Sequence, residues 1–208
     1  FATPAPVTPL VDPFGNDLTL DGDQDYGVVG DRPSLSLTGK SITVEMRIKH
    51  DGTSDEDAMI LDKLDTNNNG FQLHFVGSGE EPRLEFDHNR GQVGSNSGIP
   101  ADRWTHVAVT YDGSNVNLYI NGELDSQQSW DGSPNDGSTG LYLGTTESAN
   151  EQFYSGRIDD VRIWNRARAQ SEIQTDYDQE LTGDESGLVA YWRFNEVPGT
   201  PISRAAGG

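Results

Sequence analysis

From Leu18 onward, apolar and polar residues alternate in short runs and do not recur at helical spacing. Ile42, Val44, Met46 and Ile48 alternate with Thr43, Glu45, Arg47 and Lys49, the period of two expected of a half-buried strand. Phe71, Leu73 and Phe75 alternate with Gln72 and His74, and Leu84 and Phe86 with Arg83, Glu85 and Asp87. Trp104 to Tyr111 and Val116 to Ile120 flank Asp112-Gly113-Ser114-Asn115, an Asp-Gly hairpin signal, and Asn121-Gly122 starts another turn. Leu141 to Leu143, Ile158 to Trp164 and Leu188 to Phe194 supply later strands. Helical character is confined to about 170–178. Short strands with turn signals every 8–12 residues or so predict an all-β, two-sheet antiparallel sandwich or jelly roll. The polar, Gly/Ser/Asn-rich segments 95–103, 125–140 and 145–156 read as rim loops, where such folds carry function.

Pro4, Pro6, Pro9 and Pro13 make residues 1–15 an expected extended linker, 16–197 the folded domain and 198–208 a second linker. With Phe1 at its start, the chain is expected to be a piece of a longer protein. Its 208 residues suit one domain. It has no cysteine, hence no disulfide framework, catalytic thiol or thiolate metal site. The formal charge of −20 opposes binding to nucleic acid or anionic membranes, and no apolar run suggests membrane insertion. The acids are 22 Asp to 12 Glu, with Lys40, Lys49 and Lys63 the lysines. That surface fits a saline or extracellular setting, and loop aspartates also suit Ca²⁺.

Several constellations could carry chemistry. Asp21-Gly22-Asp23-Gln24-Asp25 crowds three carboxylates, a repulsion that Ca²⁺ would reverse, although EF-hand offsets are absent. Strict alternation puts Asp159 on the face of Val161 and Ile163, where it needs a partner. Capping backbone N–H groups or pairing with an arginine would serve, with the acidic turn left solvated. His50, His74, His88 and His106 show no metal-binding spacing. No G-x-S-x-G elbow or phosphate loop occurs. Trp130, in a polar stretch, is a candidate sugar platform, or else closes an end of the sandwich. Tyr154, with Phe153 and Asn150, forms a second candidate cluster.

Five segments, in order, together resemble the LamG-like jelly-roll family, relatives of laminin G modules, pentraxins and concanavalin A-like lectins. They are Leu18 to Val29 with its Asp21-Gly22 turn, Ser41 to Lys49, and the Trp104 to Glu123 hairpin. Gly156 to Arg168, leading into Glu172-Ile173, and Gly187 to Glu196 complete the set. The resemblance covers roughly 18–196 and implies a concanavalin A-like jelly roll. It implies a shared structural Ca²⁺ site for Asp21, Asp23, Asp25 and Asp159. By likeness to pentraxins it implies ligand-bridging calcium held by acids and amides from the loop of Asp55, Glu56, Asp57, Asp62, Asp65 and Asn69, and from Glu147 to Glu151. Asn69 replaces an expected acid there, and a solvated loop is the other reading. Glu85 and Asp87 share the spacing of glycosidases in related jelly rolls, but Asn89 and Arg90 stand where a further Glu belongs, so pairing with Arg83 or Arg47 is expected.

The resulting expectation is a non-catalytic, lectin-like carbohydrate-binding module of a larger secreted or cell-surface protein, beside neighbouring domains, with structural Ca²⁺. A structural spacer or protein-interaction module of an adhesin is the alternative, and a glycoside hydrolase or lyase the third reading.

Overall fold

Alternation along the chain becomes two antiparallel sheets packed face to face. The computed structural model describes residues 16–36, 41–53, 56–88, 91–130, 138–148 and 151–195. The expected linkers 1–15 and 198–208 lie outside these. In order, the strands are β1 (Leu18–Asp21), β2 (Gly27–Val29), β3 (Ile42–His50), β4 (Met59–Asp62), β5 (Phe71–Val76), β6 (Arg83–His88) and β7 (Gly91–Gly98). There follow β8 (Thr105–Tyr111), β9 (Asn115–Ile120), β10 (Glu123–Ser129), β11 (Leu141–Leu143), β12 (Ser155–Trp164) and β13 (Leu188–Trp192), with a helix, α1 (Gln170–Asp176), between the last two.

One sheet runs β1-β12-β3-β8-β9-β10, with β13 also pairing β12; the other runs β2-β11-β4-β5-β6-β7. The predicted turns form as read: Asp112 Oδ1 accepts the N–H groups of Ser114 and Asn115, both at 2.8 Å. Asn121 and Gly122 both take positive φ, 49° and 79°, as a two-residue hairpin requires. The inner faces supply one core, including Val44, Met46, Ile48, Leu73, Phe75, Leu84, Phe86, Val107, Val109, Ile158 and Trp192. Each such side chain contributes about 1.5–3 kcal/mol on burial.

Three expectations change. Segments 95–103 and 125–140 are not wholly loops, since β7 and β10 extend into them as polar edge strands. Nor is β3 half-buried: Thr43, Glu45 and Arg47 on its outer face are buried as well. α1 and the segment after it cover that face, with Ile173 of α1 packed on Ala108 and Tyr119 and Leu181 on Trp164. Asp159 does not face inward. The β3–β12 register jumps from Asp159↔Arg47 to Arg162↔Glu45, a bulge at Asp160, where φ is 51°. The extra residue shifts the alternation and turns Asp159 to the outer face beside Arg47.

Beneath α1 lies a buried ionic network. Glu45 accepts hydrogen bonds from Arg168 Nη1 at 2.8 Å and Trp164 Nε1 at 2.9 Å, with Arg162 Nη1 at 3.8 Å and His106 Nε2 at 3.6 Å. Burial raises the Glu45 pKa, but His106, Arg162 and Arg168 outweigh it and hold the carboxyl at about 2. Burial, aided by the two arginines, lowers the pKa of His106.

Candidate functional site

Among the described residues no helix covers the outer face of the β2–β7 sheet, and polar side chains line up across it. Ladder pairing sets Val28, Tyr142, Asp62, Gln72, Asp87 and Gln92 in one row. Beside it, the loop from Leu64 to Gly70 forms a wall. Asp65 organises that loop by accepting N–H groups from Asn67 at 2.8 Å and Asn69 at 2.9 Å. Together they bound a groove of about 280 Å³ lined by Leu64, Asn68, Gln72, Asp87, His88, Gly91 and Gln92. Asn68 and Gln92 are exposed and Gln72 and Asp87 half-buried, so amides and one carboxylate are presented to solvent, with no Lys or Arg among the described lining residues.

Asp87 and Glu85 do not pair with Arg83 or Arg47 as expected. Gln72 Nε2 donates to Asp87 Oδ2 at 2.6 Å and Gln92 Nε2 to Glu85 Oε2 at 2.9 Å. His74 Nε2 lies 3.3 Å from Asp87 and 3.7 Å from Glu85. Burial disfavours a charged His74, but these carboxylates outweigh it and raise the pKa. Burial likewise works against the Asp87 carboxylate, while His74 and Gln72 bring its pKa down.

The ligand candidates separate. Asn69 lies at the groove's loop, but its amide donates to Asp65 Oδ2 at 3.2 Å. Glu147 is exposed, and its N–H donates to Asp62 Oδ2 at 2.9 Å, bringing its loop to the same rim. Asn150 lies outside the described residues. Tyr154 is fully buried with its ring 5.8 Å from that of Phe75, so it belongs to the core and not to a ligand cluster. Trp130 sits between the sheets' ends, its ring 4.0 Å from His88 and 4.7 Å from Tyr111, and packs against the core. Among the described residues, the depression it lines is bounded by Gly113, Ser114 and Ser129. Trp130 therefore closes one end of the sandwich. Trp130→Ala should cost about 2–3 kcal/mol and lower the melting temperature by roughly 5–10 °C. An unchanged melting curve would return Trp130 to the surface.

The four aspartates proposed to share Ca²⁺ are not brought together. Asp21 pairs with Ser155, and Asp159 lies four residues further along β12, about 13 Å away. Asp159 Oδ1 accepts the Asp160 N–H at 2.8 Å, and its Oδ2 lies 4.0 Å from Arg47 Nη1. Asp21 Oδ1 accepts the Asp23 N–H at 2.9 Å, closing the turn by itself. These residues do not fit a shared calcium site. Among the described residues, the acid and histidine group whose ligand atoms all lie within 4.8 Å is His74, Glu85 and Asp87. Sequence spacing pointed to no histidine site because the β5–β6 register, which joins them, lay beyond it.

Residues 21–174 match the family model of the concanavalin A-like lectin/glucanases superfamily. No match to this chain is found among curated protein sequences. Among solved structures, a candidate carbohydrate-binding protein from Bacteroides ovatus aligns with a TM-score of 0.68 at 20% identity, over 86% of this chain and 52% of its own. This chain thus spans about half of that protein. Domain 4 of AbnA, a GH43 extracellular arabinanase from Geobacillus stearothermophilus, solved with arabinotriose, gives 0.58 at 19% identity over 77% and 75%. The heptameric SAP-like pentraxin of Limulus polyphemus gives 0.55 at 17% over 79% and 82%. At these identities the likeness is one of fold.

Proposed function

This chain belongs to the concanavalin A-like lectin/glucanases superfamily, and we propose that it serves as a non-catalytic carbohydrate-binding module of a larger secreted or cell-surface protein. The observation that carries this reading is the groove on the outer β2–β7 face. Asn68, Gln72 and Gln92 offer amides that both donate and accept, and Asp87 accepts, the complement of a sugar's vicinal hydroxyls. Tyr142, half-buried in the same row, offers a ring on that face. The chain's charge of −20 disfavours sulfated or uronic acid polymers, so the ligand is a neutral glycan. The carbohydrate-binding description of the Bacteroides ovatus protein and the arabinotriose on the arabinanase domain support the class.

The test is a glycan array followed by titration of the strongest neutral hit. Gln72→Ala and Asn68→Gly, the glycine suiting the positive φ of 59° at that position, should each weaken binding by about 5–10-fold, the loss of one or two hydrogen bonds, with little change in the melting temperature. Absence of any hit from folded protein would instead favour the spacer or protein-interaction role. Polysaccharide cleavage that disappears in Glu85→Gln would overturn the non-catalytic reading.

A further inference from the structure

On the outer face of β5 and β6 an imidazole meets two carboxylates. His74 pairs across the ladder with Glu85, and Asp87 lies two residues further along the same face. The His74 side chain is 9% exposed; its Nε2 is buried, near both carboxylates and hydrogen-bonded to neither. Its Nδ1 stands 3.0 Å from the carbonyl oxygen of Phe75. A carbonyl can only accept, so Nδ1 carries a proton, and in its neutral form the ring presents its Nε2 lone pair towards the acids. That form is repulsive until a proton or a metal cation sits between the three groups.

We propose that His74, Glu85 and Asp87 bind a divalent first-row transition-metal ion, with Zn²⁺ as its probe, through Nε2 and one oxygen of each carboxylate. Tetrahedral Zn²⁺, with bonds near 2.0–2.1 Å, holds neighbouring ligand atoms about 3.3 Å apart. The observed 3.3 Å from His74 to Asp87 and 3.7 Å to Glu85 need little adjustment. The tautomer set by Phe75 is the one a metal-bound imidazole uses. Gln72 and Gln92, donating to Asp87 and Glu85, are the outer partners that orient the carboxylates. A mixed imidazole and carboxylate set suits Zn²⁺, whereas Ca²⁺ takes six to eight oxygens. The Glu85 and Asp87 side chains are 21% and 27% exposed, so a fourth position opens to solvent for water or a ligand oxygen.

The metal proposal does not rest on the carbohydrate reading and is tested with metal alone. Calorimetric titration of the chelator-stripped chain with Zn²⁺ should find one ion per chain. His74→Ala and Glu85→Gln should each weaken it by about 100-fold or more, and Gln92→Ala by about 10-fold. Co²⁺ in its place should show the visible absorption of a four-coordinate ion, lost in both ligand variants. Glu85 is more exposed than His74, so Glu85→Gln decides the matter should His74→Ala misfold. No stoichiometric Zn²⁺ binding, or an affinity unchanged in Glu85→Gln, would overturn the site and leave general attraction to an acidic surface. Zn²⁺ binding without any glycan binding would sink the carbohydrate reading alone.

Discussion

A chain lacking residues 186–208 should show no cooperative unfolding transition. The deletion removes β13, which pairs with β12 from Val161↔Trp192 to Trp164↔Leu188. Ala190, Trp192 and Phe194 leave the main core, while Leu188 and Tyr191 leave the cluster around Trp164. The Tyr191 hydroxyl also donates to Asp160, at the bulge of β12. Burying Leu188, Trp192 and Phe194 contributes about 5–9 kcal/mol, at 1.5–3 kcal/mol each, comparable with a domain's whole stability of about 5–15 kcal/mol. Near-ultraviolet circular dichroism on heating would read this directly. A truncated chain melting cooperatively at the original temperature would show that β13 is an accessory strand.

Glu45→Ala should destabilise the domain by about 3–5 kcal/mol and lower its melting temperature by roughly 6–20 °C. Glu45 is fully buried, and its removal strands Arg168 and Arg162 beneath α1 without their shared carboxylate. Glu45→Gln, which can still accept from Trp164, should cost less. The same network sets an acid limit. Glu45 has a folded pKa of about 2 against an ordinary value of 4.5, so it contributes stability that is complete above about pH 4.5 and lost as pH falls towards 2. His106 has a lowered folded pKa, so the unfolded chain takes up its proton first, and stability declines as pH falls below 6.5. Denaturant midpoints from pH 8 to pH 3 should therefore fall in wild type, with a smaller fall in Glu45→Ala once pH passes below 4.5. Parallel profiles for the two proteins would remove Glu45 from the acid response.

The strands of the core could be read because one face of each had to be apolar. Ile42 to Ile48 and Phe71 to Phe75 carry the alternation, and the Asp112-Gly113 and Asn121-Gly122 turns fix the β8–β9 and β9–β10 hairpins. β7 and β10 escaped notice because edge strands bury little: β10 has no fully buried residue, so its composition resembles a loop. The burial of Glu45, Arg47 and Arg162 was invisible, since a polar face under a helix reads like a polar face in water. Asp159 was placed on the wrong face because a single bulge residue inverts the parity of everything beyond it. His74, Glu85 and Asp87 each showed as polar-face positions. The link from Gly77 to Pro82 carries no two-residue turn signal, so only the folded register brings them together.

The central claim, that the outer β2–β7 face binds a neutral glycan, is tested most directly by amide chemical-shift mapping. Isotope-labelled chain would be titrated with the oligosaccharide selected on the array. Shifts should concentrate at Asn68, Gln72, Asp87 and Gln92, with Trp130 and the Gly113–Ser114 turn unmoved. Perturbations confined to the Trp130 end, or a saturating glycan that leaves the β5–β7 face unchanged, would contradict it.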